Sequence, residues 1–258
     1  MTRYAATPSP DSVGQMPGKL EGRVALVTGG GRGIGRAIAL GYAREGAEVI
    51  ITAARRPDEA ERTAQDARDL PGRITALTAD ITSDADVGRL AAALPAPDIL
   101  VNNAARGMRF VNERFMTDPR PFWEIAPSAW RLVMDTNING VFLMTRAFAP
   151  RMVERRSGSI INVTVNETTM VRRGFSPYGP SKAAVEAMTE AWAQDLEGTG
   201  VVVNLLLPGG VTDTGMIVPG ALPAGVTLLE PEIVVPGAIH LALTSRSGQR
   251  ITGTEFRP

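Results

Sequence analysis

Two residues four apart, in Tyr178-Gly179-Pro180-Ser181-Lys182, could handle a proton together. At a helix start that spacing puts both side chains on one face. An ammonium beside a phenol favours phenolate, which moves a tyrosine toward acid–base chemistry near neutral pH. Alone the pair is a weak signal, because many surface helices carry it by chance. A second group is Thr28-Gly29-Gly30-Gly31-Arg32-Gly33-Ile34-Gly35, set between an apolar run and a helical pattern. Glycines there let the backbone turn tightly and approach a pyrophosphate, while the free N–H groups of the helix start face its charge. An ordinary glycine turn is the bland alternative, and the strand–loop–helix context argues against it.

The next charged residues bear on which dinucleotide would fit. A site for NAD usually places an acid after the second strand to hold the ribose hydroxyls. Here that strand ends Thr52-Ala53-Ala54-Arg55-Arg56, with no carboxylate before Asp58. An acid would repel a 2′-phosphate, whereas guanidinium groups bind it through paired hydrogen bonds. Arg32, inside the glycine loop, adds a cation nearby. The expectation is NADP(H) over NAD(H); the competing reading is that these arginines are solvated surface charges.

The elements that must position these groups alternate along the chain. Val24–Thr28, Glu48–Thr52, Ile74–Thr78, Asp98–Asn102, Ser159–Val165 and Val201–Leu206 read as buried strands. Helical stretches begin near Ile34, Asp58, Ser83, Ser128 and Tyr178, a last helix covers Glu232–Leu243, and Arg250–Phe256 could add a strand. Such alternation predicts an α/β fold: one doubly wound, Rossmann-like parallel sheet with helices on both faces. The irregular segments Arg106–Pro127 and Gly210–Leu229 follow strands, where ligand crevices form, so they are expected to wall a substrate site.

Composition narrows the function classes. At 258 residues and 44% apolar, the chain can bury a large core in a single domain, 20–258. A net charge of zero offers no general field toward nucleic acid or anionic membrane, and neither partner is expected. No cysteine is present, which excludes disulfides, thiolate catalysis and thiolate-bound zinc. His240 is the sole histidine and reads as structural, so no metal site is expected. Residues 1–19, rich in proline and small polar residues and without an apolar stretch, read as a flexible extension of a cytoplasmic protein.

Taken in order and spacing, the glycine loop, Asp80-Ile81, Asn102-Asn103-Ala104-Ala105, Asn137, Tyr178–Lys182 and Pro208-Gly209 carry a family likeness. From about Leu20 onward the chain resembles the short-chain dehydrogenase/reductase family. The resemblance implies hydride transfer between NADP(H) and a small carbonyl or alcohol substrate, with Tyr178 as general acid or base. It implies that Lys182 holds the nicotinamide ribose and lowers the tyrosine pKa, and that Asn137 supports a water-linked relay to it. Gly29, Gly31, Arg32, Gly33, Ile34 and Gly35 would cradle the cofactor. Asp80, with Ile81 beside it, would contact the adenine, and Asn102 with Ala104 would line the adenosine side. The segment after Pro208 and Gly209 would embrace the nicotinamide through Thr212 or Thr214. Helices Ser128–Arg156 and Tyr178–Leu196 resemble those through which the family forms dimers and tetramers, so a homo-oligomer, a homotetramer in particular, is expected.

One position departs from the pattern. The family places a serine thirteen residues before the tyrosine, where this chain has Val165. Valine cannot donate a hydrogen bond to a substrate oxygen. Either Thr164 or Asn166 takes over, or Tyr178 binds the oxygen alone, or the protein binds cofactor and turns over little. Thr164 is disfavoured if it lies in a regular strand, because neighbouring side chains then point to opposite faces. Near the expected substrate walls, Arg106, Arg109, Arg114, Arg120, Arg172 and Arg173 could meet an anion or simply be solvated. Phe110, Phe115, Phe122, Trp123 and Trp130 could form an apolar wall.

Overall fold

The computed structural model describes residues 18–216 and 222–257; most of the expected N-terminal extension lies outside them. Strands β1 (Val24–Thr28), β2 (Glu48–Ala53), β3 (Arg73–Thr78), β4 (Ile99–Asn102), β5 (Gly158–Val163), β6 (Val201–Leu207) and β7 (Arg250–Thr252) form one sheet. Its order is β3-β2-β1-β4-β5-β6-β7, and every pairing is parallel.

Apolar runs rather than alternation mark these strands because both faces of the sheet are covered. In β4, Ile99 and Val101 join a core with Ile38, Tyr42 and Leu241, while Leu100 points to the other face, among Met144, Phe148 and Met152. The first face packs under helices α1 (Gly33–Arg44) and α8 (Val235–Leu243); the second meets α3 (Asp84–Ala93) and α5 (Gly140–Arg155). Between them in sequence lie α2 (Pro57–Asp66), α4 (Pro127–Met134), the four-residue α6 (Glu167–Met170) and α7 (Tyr178–Asp195).

Several boundaries differ from expectation. The stretch Ser128–Arg156 is not one regular helix: a π-turn at Asp135–Asn139 separates α4 from α5, a distortion common at functional sites. Strand β4 starts after Asp98, whose carboxylate instead accepts the Val24 N–H at 2.8 Å. The last helix opens with a 3-10 turn at Pro231–Val234, and the final strand is three residues long. Most important here, β5 stops at Val163. Thr164 N–H still donates to Leu206 O at 2.9 Å, but the chain then turns into α6.

Strands β1 and β4 leave the sheet's order of succession in opposite directions, so a crevice opens above their carboxyl ends. The glycine loop, the ends of β2 to β5 and the start of α7 all empty into it.

Candidate active site

The glycine loop shows why no side chain is allowed where it turns. Gly29 and Gly33 have φ of +67° and +52°, the left-handed region that favours glycine. A Cβ at Gly35 would fall on Gly29 O and on Asn103 Nδ2. Helix α1 starts at Gly33 with no side-chain cap and no acid in its first turn, leaving its leading N–H groups for an outside acceptor. This cradle fits a pyrophosphate, and the residues that would hold one are Gly29, Gly31, Arg32 and Ile34 on the cleft wall.

Asn103 and Thr28 hold the loop's shape, and sequence reasoning gave neither a role. Asn103 Nδ2 donates to Thr28 O at 3.0 Å and Gly29 O at 3.1 Å. Thr28 Oγ1 accepts from the Asn103 and Ala104 N–H groups, each at 3.0 Å. Asn102, expected on the adenosine side, instead points into the core. Its Nδ2 donates to Thr145 Oγ1 at 3.0 Å and Asn162 Oδ1 at 2.8 Å, and Asn162 Nδ2 passes the chain of bonds to Thr189 at 2.8 Å. Asn102 thus ties β4 to β5 and α5, while its neighbours Asn103 and Ala104 line the cleft.

Arg32, Arg55, Arg56, Asp80, Ile81, Thr164, Asn166, Tyr178, Lys182, Pro208, Thr212 and Thr214 also line the cleft. Gly33, Gly35, Asn137 and Gly209 stand behind the lining. The arginines are not all free. Glu59 Oε1 lies 3.2 Å from Arg56 Nη1, and its Oε2 lies 3.7 Å from Arg32 Nε. The absence of an acid directly after β2 does not reveal this carboxylate, which arrives in the first turn of α2.

At the other end, Lys182 is buried and its Nζ donates to Val163 O at 2.8 Å. Burial pulls its pKa down to about 8. Tyr178 is half-buried on the cleft wall, and desolvation pushes its phenol up to about 12. The ammonium was expected to lower the tyrosine. The lysine nitrogen lies 5.9 Å from the tyrosine ring centre, and desolvation of the phenol sets the direction of its shift.

Asn137, in the π-turn, braces the site without touching Lys182. Its Oδ1 accepts the Arg106 N–H at 2.8 Å; its Nδ2 donates to Arg106 O at 3.1 Å and to Ser181 Oγ at 2.9 Å. Ser181 Oγ in turn donates to Tyr178 O at 2.7 Å. Val165 lines the cleft between Thr164 and Asn166. Asn166 Nδ2 donates to Gly209 O at 3.1 Å, whereas the buried Thr164 Oγ1 has no partner among the described residues.

Beyond Tyr178 the walls are apolar, with Phe110, Phe115, Met116, Phe175, Val211 and Met216. Of the expected aromatics, Phe122 and Trp123 are instead 70% and 72% exposed, and Trp130 is exposed too. Of the arginines near the walls only Arg106 and Arg172 reach the cleft; Arg109 Nη1 donates to Gly215 O at 2.6 Å. His240 sits in α8 with its Nε2 3.2 Å from Gln249 Oε1, outside the cleft. No metal-binding cluster occurs among the described residues, and none of their helices is long and apolar enough to cross a membrane.

A family model for short chain dehydrogenases matches residues 23–220. The chain belongs to the short-chain dehydrogenase family. This short-chain dehydrogenase is 34% identical over 229 residues to an NADPH-dependent aldehyde reductase-like protein (chloroplastic) of Arabidopsis thaliana, covering 82% of this chain and 80% of that one. It is 36% identical over 196 residues to gluconate 5-dehydrogenase of Gluconobacter oxydans, covering 74% and 72%. Its fold is similar to that of a 3-oxoacyl-(acyl-carrier-protein) reductase from Agrobacterium tumefaciens with NADP bound. That match has a TM-score of 0.76 at 26% identity, over 91% of this chain and 94% of the other. The chain is therefore an oxidoreductase that acts on small molecules.

Proposed function

We propose that the chain is an NADP(H)-dependent dehydrogenase/reductase that interconverts a carbonyl and a secondary alcohol, with Tyr178 as the proton donor and acceptor. One observation carries the reading: the glycine cradle and the Tyr178–Lys182 pair open into the same cleft. When bound, the nicotinamide supplies or takes up the hydride. At neutral pH a phenol held near 12 keeps its proton, which suits it to donate that proton to a carbonyl oxygen during reduction. Lys182, anchored on Val163 O, would hold the nicotinamide ribose and stabilise the tyrosinate left behind. Asn137 fixes the start of α7 through Ser181, and so the position of Tyr178.

Thr164 is the residue assigned here to polarise the substrate oxygen in place of the family's serine. Its hydroxyl is buried without a partner on the cleft-lining segment, while the Asn166 amide is engaged. The end of β5 at Val163 removes the strand-alternation argument against it. Val165 itself favours a second reading, a cofactor-binding regulator with little turnover.

Domain 20–258 would be the catalytic unit of a cytoplasmic homo-oligomer, with 1–19 an extension. The exposed Trp130 of α4 and Phe142 of α5 suit subunit contacts. Calorimetric titration with NADPH and NADH, followed by a carbonyl panel read by nicotinamide absorbance, tests the proposal. Tighter NADPH binding with turnover is expected. Binding without turnover across the panel would favour the regulator, and preference for NADH would overturn the cofactor assignment.

A further inference from the structure

Arg172 stands on the Tyr178 side of the cleft, in the segment that leads from β5 to α7, and it lines the cavity. Its guanidinium lies 4.9 Å from the centre of the Phe175 ring, and its Nη1 lies 4.0 Å from Met116 Sδ. Phe175 meets Phe115 edge-on, with ring centres 5.4 Å apart. Tyr178 packs against the same cluster of Met108, Phe115, Met116 and Phe175. A continuous apolar wall therefore joins the phenol to the guanidinium.

The charge of Arg172 is unmatched. Among the described residues its side chain meets no oxygen acceptor, only the Met116 sulfur. Glu167, the nearest acid in sequence, does not line the cleft. Arg106, by contrast, is 9% exposed and its Nε donates to Thr136 Oγ1 at 3.0 Å. The carboxylates among the described lining residues are Glu59 and Asp80. They follow β2 and β3, on the other side of β1 from β4 and β5. Stacking on Phe175 occupies one face of the guanidinium and leaves the N–H donors at its edge open, a fork that matches the two oxygens of a carboxylate.

We propose that Arg172 receives the carboxylate of an oxo-acid substrate, a role that rests on Tyr178 handling the carbonyl. The wall of Phe115, Met116 and Phe175 between the two groups selects an apolar spacer, an aryl ring or a short alkyl chain, over a polyhydroxylated one.

The test loads the full chain with NADP⁺, which cannot reduce a ketone, and measures ketone binding by calorimetry. Two matched pairs serve as probes: 4-acetylbenzoate with its methyl ester, and 5-oxohexanoate with its methyl ester. In at least one pair the acid should bind about tenfold or more tightly than the ester. Arg172→Gln should bring that ratio to within about twofold of one, and Arg172→Lys should keep part of it. A ratio near one in both pairs, no binding of any probe, or a preference that survives Arg172→Gln would overturn the carboxylate site. Turnover of the same probes with NADPH separates the two claims. Selective binding of the acid without turnover would leave the carboxylate site standing and count against the reductase. Equal turnover of acid and ester would keep the reductase and remove the site.

Discussion

Burying Lys182 should make the protein more stable as the solution becomes moderately alkaline, and replacing it should abolish that effect. The ammonium is 4% exposed and its pKa falls from 10.5 to about 8. At roughly 1.4 kcal/mol per pH unit, keeping it charged in the fold costs about 3 kcal/mol. Below the folded pKa both states hold the proton and the full penalty applies. Between the two values the unfolded chain holds a proton that the folded chain has released, so stability rises with pH. Tyr178 acts in the opposite sense above its ordinary value of 10.0, because its folded pKa lies near 12. The informative window therefore lies below that point. Urea unfolding of the cofactor-free protein and of Lys182→Met, at about pH 7.5 and about pH 10, isolates the effect. The difference in unfolding free energy between the two proteins should change by about 2 kcal/mol in favour of the unaltered chain. A difference constant to within about 0.5 kcal/mol would mean instead that the lysine titrates alike in both states.

Gly35→Ala should lose about 1–3 kcal/mol of stability, because the added methyl collides with Gly29 O and Asn103 Nδ2. Its NADPH affinity should fall with it, as seen by urea unfolding and calorimetry; an unchanged loop would contradict the cradle. Thr164→Val should cut turnover about a hundredfold while sparing NADPH binding, by analogy with the loss of one oxyanion donor. If steady-state kinetics show the larger loss in Asn166→Ala instead, the polarising role belongs to the amide.

The sheet was legible in the sequence because its central strands, β1, β4, β5 and β6, are buried on both faces and so appear as continuous apolar runs. The glycine loop was legible because its spacing serves backbone geometry, not a distant partner. What sequence reading missed depends on direction and depth. Asn102 and Asn103 are neighbours, and the exit of β4 decides which faces the core and which the glycine loop. Glu59 acts on Arg32 and Arg56 only once α2 folds back beside the loop. Arg106 was one arginine among several until its burial set it apart from Arg114 and Arg120. Likewise the Tyr178–Lys182 spacing suggested a lowered phenol, but desolvation, which spacing cannot report, pushes it up.

The proposed function requires that Tyr178 move the proton in a cleft that binds NADP(H). Tyr178→Phe, compared with the unaltered protein for NADPH affinity and for turnover of the best carbonyl in the panel, tests it most directly. NADPH affinity is expected to stay within about twofold and turnover to fall at least about a hundredfold. Turnover near that of the unaltered protein would contradict it.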